Sequence, residues 1–397
     1  MNILEKVKVL IKEVKINFLN GVIFTFLFSI SIADDFDTCI WIKADSMKSK
    51  KSIQEALLFA YENNFQKVFV QRRYRGDAFY NSDIVPKSSL IGKDFDPLSY
   101  AVELSNSLGL EIHAWVNVYI LWSSNYEPQN KNHVYYKKKD WMEYNINGKS
   151  DFEIDLDVPQ SSNWEGIFIS PLHPEVNSYL INVYSEIVNK YDVYGLHLDY
   201  IRFQDDVYGY NKVGRKIFEN KYKFDPLDIE RDIISTKYGW SKTEIDSIKK
   251  IWVNYKLESI NSLLIEIRDY INSSNKNIQL SAAVKSNPVL AKKKWSQDWA
   301  LWINEELLDF AVVMNYTPDI INFGNSIEII KEEIDDNYSN RIIMGIGIYN
   351  QDSNSIANQV YLSYLYKFGG VSFFSYDNRK DDFGWYDNII KTLEGIK

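Results

Sequence analysis

One cysteine, four histidines and nine prolines in 397 residues remove several chemistries at once. With Cys39 alone, no disulfide forms within the chain, and stability must come from the core. Cys39 lies in the apolar run Thr38-Cys39-Ile40-Trp41-Ile42, too early in a strand for a nucleophile. His113, His133, His173 and His197 form neither a His-x-His nor a His-Glu-x-x-His pattern, so no metal is expected. No Gly-x-Gly-x-x-Gly turn follows an apolar run, which argues against a dinucleotide fold, and no Gly-x-Ser-x-Gly elbow is present for serine chemistry. No cofactor is expected. Positive charge is also in deficit: 45 Lys and Arg against 54 Asp and Glu leave a net charge of -9, which argues against a nucleic-acid partner.

Long apolar runs are missing too, with one exception. Residues 18–33 are apolar and uncharged and follow Lys6, Lys8, Lys12 and Lys15, and Ser31-Ile32-Ala33 has small residues at cleavage-site spacing. The run is shorter than the roughly 20 residues a membrane-spanning helix needs. The layout is that of a secretory signal peptide over 1–33, ahead of one domain over 34–397 in an exported protein. Membrane contact is expected only through that leader, if it stays uncleaved.

Apolar residues make up 45% of the chain and aromatics 15%, ample for a large core. Beyond residue 33 the pattern of apolar strand, polar loop and amphipathic helix repeats eight times. Expected strands cover 38–44, 67–72, 111–119, 195–201, 278–285, 310–316, 341–349 and 370–376. Expected helices cover 52–63, 97–108, 174–190, 242–272, 295–306, 326–335, 353–368 and 385–393. Alternating strands and helices imply parallel pairing, and eight rounds imply an α/β protein of the (β/α)8 TIM-barrel type. Residues 120–173 and 204–277 are long insertions after strands three and four; loops of that length are functional or carry structure of their own.

The stretch Gly195-Leu196-His197-Leu198-Asp199-Tyr200-Ile201-Arg202 carries most of the information. Strand alternation sends Leu196 and Leu198 to one face and His197 and Asp199 to the other. Asp199 falls near the strand's C-terminal end, where such barrels place their chemistry. A buried aspartate paired with Arg202 for structural reasons is the plain alternative. The other strand ends add Arg72, Arg75, Asp77, His113, Trp115, Asn117, Asn315, Tyr316, Tyr376 and Asp377. Carboxylates, amides, arginines and aromatics in one mouth suit carbohydrate: glycoside hydrolysis needs two carboxyl groups in opposite protonation states. His113 and His197 beside Asp199 offer a metal triad, but packing beneath the site is the favoured reading.

Six motifs in order resemble the glycosyl-hydrolase-like family 10, exported bacterial (β/α)8 proteins. They are Val70-Gln71-Arg72-Arg73-Tyr74-Arg75-Gly76-Asp77-Ala78-Phe79-Tyr80, Phe95-Asp96-Pro97-Leu98, Leu110-Glu111-Ile112-His113-Ala114-Trp115-Val116-Asn117, Ser170-Pro171-Leu172-His173-Pro174-Glu175-Val176, the Asp199 stretch, and Gln297-Asp298-Trp299 continuing to Met314-Asn315-Tyr316-Thr317. The resemblance implies a glycosidase with a carbohydrate substrate. Some barrel glycosidases pair a strand-four aspartate with a strand-six aspartate. Asp199, the carboxylate that strand alternation puts inside the mouth, is expected as the nucleophile or charge-stabilising carboxylate, held ionised by Arg202 and Arg72, and by that likeness Asp319 is the acid/base. Asp45, Asp77 and Asp377 are its rivals. Arg72, Arg75, Asp77, His113, Trp115, Asn117, His197, Arg202, Asn315, Tyr316, Tyr376 and Asp377 are expected to bind substrate. Two other functions fit the same residues: a carbohydrate-binding barrel without turnover, and a metal-dependent polysaccharide deacetylase.

Overall fold

The computed structural model describes residues 36–158, 164–382 and 384–396; the expected leader over 1–33 lies outside them. Eight parallel strands close on themselves: β1 (Asp37–Ile42), β2 (Lys67–Tyr74), β3 (Glu111–Asn117), β4 (Gly195–Asp199), β5 (Gln279–Lys285), β6 (Phe310–Met314), β7 (Ile342–Gly347) and β8 (Gly370–Phe374). Each pairs with its sequence neighbours, and β1 pairs with both β8 and β2. This is a (β/α)8 barrel.

Two apolar layers hold it. Residues on the outer strand faces, such as Leu196 and Leu198, join the core between barrel and helices. A separate inner cluster of Cys39, Trp41, Phe69, Trp115, Phe310, Val312 and Ile343 fills the barrel. Bulky side chains from successive strands thus make the centre a packed core rather than a pore.

Helix ends follow local chemistry. Asp96 accepts hydrogen bonds from the backbone N–H groups of Leu98 and Ser99 at the start of Pro97–Leu108, and Gly109 at φ +71 ends that helix. His173 and Pro174 start Pro174–Lys190, with proline at the position where its missing N–H matters least. The expected helix over 295–306 is instead two short ones, Pro288–Trp295 and Trp299–Asn304, broken where Ser296 turns left-handed at φ +51. The helix after β6 starts earlier than expected, at Ile320, because Asp319 caps it.

The described residues of both insertions carry structure of their own. After β3, Ile120–Trp122 and Ile167–Phe168 pair antiparallel and tie the loop's two ends together, with Trp141 and Met142 buried beneath. After β4, short helices precede the 32-residue helix Lys242–Ser273, opened by a reciprocal Ser241–Glu244 capping box. Among the described residues no helix is long and apolar enough to cross a membrane.

Candidate active site

The C-terminal face of the barrel opens into a cavity of about 570 Å³, walled by Trp41, Tyr74, Trp115, Glu165, Asp199, Arg202, Lys285, Tyr316, Tyr349 and Phe374 among others. Its floor is aromatic. Tyr316 stacks on Phe374 at 5.3 Å, and Trp41 meets the edges of both rings.

Below the floor sits His197. The Trp41 Nε1–H donates to His197 Nε2 at 3.1 Å, so the ring's proton is on Nδ1, 2.9 Å from Ser281 Oγ. Burial holds the ring neutral, with its pKa pushed down to about 3. His113 lies deeper still, its ring against Phe69 and Phe310 and under Gly195, where a Cβ would come within 2.1 Å of its Nδ1. Neither histidine lines the cavity. Among the described residues no group of three or more His, Cys, Asp or Glu is placed to hold a metal ion.

Asp199 ends β4 and points up into the cavity. Trp115 on β3 donates its Nε1–H to Oδ2 at 3.1 Å, and the backbone N–H of Tyr200 donates to Oδ1 at 2.7 Å. That second bond depends on Tyr200 taking φ +56, a left-handed conformation costing a non-glycine residue about 1 kcal/mol. Burial raises the Asp199 pKa to about 6; nearby Arg202 and both hydrogen bonds oppose the rise without cancelling it, and Glu165 adds to it.

Arg202, expected to keep Asp199 ionised, is committed elsewhere. Its Nη1 and Nη2 reach Glu165 Oε2 and Oε1 at 2.9 and 3.0 Å, a two-pronged pair. Lys285 Nζ stands 3.6 Å from the same carboxylate. Burial works to raise the Glu165 pKa, but the two cations outweigh it and hold the group below the ordinary carboxylate range. Three carboxyl groups therefore line the cavity: Asp45, exposed and paired with Lys48 at 2.9 Å, and two more enclosed ones, buried Asp199 biased toward the protonated form and half-buried Glu165 toward the ionised form.

The structure brings together Trp115, Asn117, Asp199, Arg202 and Tyr316 on the cavity wall. It separates the others. Arg72 turns away from the barrel interior and donates Nη1–H to the carbonyl of Phe79 at 3.3 Å; with Phe69 inside the barrel and Gln71 on the cavity, alternation itself puts Arg72 on the outer face. Arg75 and Asp77 line a neighbouring groove. Asp319 is exposed and spends its carboxylate accepting from the Asn322 N–H at 2.7 Å, so it is a helix cap outside the cavity. Asn315 is buried and donates to the Phe323 carbonyl. Tyr376 packs against Phe59, and Asp377 accepts from the Lys43 N–H and Ser46 Oγ–H. The cavity adds Glu165, which lies in the irregular part of the first insertion, where no periodicity singles it out. It also adds Trp41 and Phe374, which read as core.

The fold and this aromatic-floored cavity, with carboxyl groups on its wall, define a (β/α)8 barrel of the glycoside-hydrolase-like kind. The chain belongs to the glycosyl hydrolase-like 10 family, whose profile matches residues 30–363. Glycosyl hydrolase YngK of Bacillus subtilis (strain 168) is 26% identical over 192 residues, 46% of this chain and 32% of its own length. Glycosyl hydrolase DigH of Escherichia coli (strain K12) is 26% identical over 149 residues, 33% of this chain and 30% of its own. The matches thus span about a third of these relatives. Among solved structures, the PgaB (BpsB) glycoside hydrolase domain of Bordetella bronchiseptica shares the fold, with a TM-score of 0.65, 12% identity, and 90% of this chain and 98% of that one covered.

Proposed function

We propose that the protein is an exported glycoside hydrolase that cleaves a polysaccharide or oligosaccharide with Asp199 as general acid and Glu165 as the ionised partner. The observation that carries this reading is the pair of carboxyl groups in one cavity with their pKa values driven apart, the usual signature of acid and base assigned by environment. This reverses the role expected for Asp199. It is a proton donor to the leaving glycosidic oxygen, because burial favours its neutral form.

The bond would lie between the two groups. Asp199 gives its proton to the leaving oxygen as the glycosidic bond breaks, Glu165 faces the positive charge that develops on the sugar ring, and water then adds to the anomeric carbon and returns its proton to Asp199. Arg202 and Lys285 keep Glu165 ionised, and the aromatic floor supplies an apolar face for the sugar. Asn117, whose Oδ1 accepts from Gln71 Nε2 at 3.4 Å, presents an amide to hydroxyl groups.

The test is a polysaccharide panel scored for reducing-end release and for binding, with wild type, Asp199→Asn and Glu165→Gln. Wild type should release reducing ends from at least one member. Each variant should stay folded and lose about 10²–10⁴ in rate. Turnover retained in Asp199→Asn would end its assignment as the acid. Binding by wild type without release at any pH would favour a non-catalytic carbohydrate-binding barrel.

A further inference from the structure

Three hollows on the C-terminal face share their walls. Tyr74 lines both the central cavity and a groove of about 140 Å³ bordered by Asp77, Trp122 and Tyr126. Ser123 lines both the central cavity and an open depression of about 560 Å³ bordered by Asn125 and Trp164. Arg75 lines both outer hollows. The cavity therefore continues sideways beyond the ends of β2 and β3, with Arg75 at the junction.

Arg75 is held there by a built turn. Its backbone takes φ +54, followed by Gly76 at φ +67. A Cβ on Gly76 would come within 2.5 Å of His133 Nε2, so only glycine lets the buried His133 ring approach. His133 Nδ1 accepts from the Tyr135 N–H at 3.1 Å, which leaves Nε2–H to donate to the Arg75 carbonyl at 2.9 Å. Strained backbone fixed by its surroundings is typical of ligand clamps. The guanidinium lies 4.8 Å from the Tyr74 ring centre and 5.9 Å from that of Trp122. Its Nε–H and Nη2–H donate to Ser123 Oγ at 3.2 Å and Ser123 O at 3.3 Å. Among the described residues it forms no direct ion pair, although its charge acts on Asp77 in the same groove. Tyr126 on the same groove is 56% exposed, a flat face without a cover.

The geometry points to an outer subsite centred on Arg75 that binds a further sugar unit of the same glycan chain, away from the bond being cut. This rests on the glycosidase reading above. The guanidinium edge that Ser123 does not occupy, Nη1 and the second Nη2–H, takes a pair of adjacent oxygens, either vicinal hydroxyls or a sugar carboxylate, and Tyr126 takes the apolar face of the ring. The protein then selects oligomers over disaccharides.

Calorimetry in an Asp199→Asn background, which removes the proposed acid, tests this. The probes are β-1,4-linked glucose and N-acetylglucosamine oligomers, and oligogalacturonates, of two to six units. In at least one series the affinity should rise ~10-fold or more from dimer to hexamer, the worth of one charge-assisted contact. Arg75→Ala should abolish the rise while leaving dimer affinity within about twofold, and Tyr126→Ala, at an exposed position, should weaken hexamers in the same way. Gain in the neutral series identifies hydroxyl recognition; gain confined to oligogalacturonate identifies a carboxylate. Affinity independent of length, an equal loss on dimers and hexamers in Arg75→Ala, or no binding in any series would overturn the subsite. Failure of wild type to cut the same oligomers would count against the glycosidase reading and leave the binding result standing.

Discussion

The raised pKa of Asp199 makes a prediction about stability that is independent of any substrate. Burial lifts this carboxyl from 3.8 to about 6. A group whose folded pKa exceeds its unfolded one favours folding while protonated. Its contribution is present below about pH 4 and is lost as the pH rises through about 6. The loss is about 2 pKa units, or ~3 kcal/mol at pH 7. Asp199→Asn removes the titration. The amide oxygen can keep one of the two hydrogen bonds, from the Tyr200 N–H or from Trp115 Nε1–H, and losing the other costs ~1 kcal/mol. At pH 7 the variant should therefore be more stable than wild type by ~2 kcal/mol, while losing activity, a trade-off expected where a site is built at the expense of stability. At pH 4 it should be less stable by ~1 kcal/mol. Urea unfolding of both proteins at the two pH values measures this. A stability difference that does not change between pH 4 and pH 7 would refute the reasoning, because the carboxyl would then titrate alike in the folded and unfolded chains.

Two further predictions follow from the packing around the site. Arg202→Lys keeps the charge but loses the fork to Glu165; since a charge-assisted bond is worth ~1.5–3 kcal/mol, kcat should fall ~10- to 100-fold with little change in melting temperature. Steady-state kinetics beside a thermal melt would show it, and an unchanged kcat would remove Arg202 from the account. Gly195→Ala should destabilise the fold by ~2–3 kcal/mol, because the new Cβ meets His113 Nδ1 at 2.1 Å and the Gln279 carbonyl at 2.9 Å; denaturant unfolding at wild-type stability would contradict that packing.

Strand alternation in β4 was enough to put Asp199 inside the barrel and Leu196 and Leu198 outside, since an eight-strand parallel barrel leaves a strand only two faces. The same logic, applied to β2, puts Arg72 outside, since Phe69 faces the barrel and Gln71 the cavity; taking Arg72 as a mouth residue ignores it. Alternation gives no guide past the strand ends. Asp319 and Asp377 looked like mouth carboxylates, yet one caps a helix and the other ties the β8 loop to Lys43 and Ser46; local backbone amides compete for such carboxylates. Glu165 was illegible for a different reason. Its position depends on the paired ends of the first insertion and on Arg202 reaching across from the loop after β4, a tertiary relation that no local pattern records.

The most direct test of the central claim is the pH dependence of kcat/KM on whichever glycan wild type cleaves. If Asp199 acts as the protonated donor, the rate should fall as pH rises through about 6. A rate that is flat, or that increases, between pH 5 and pH 8 would contradict the assignment of Asp199 as the acid.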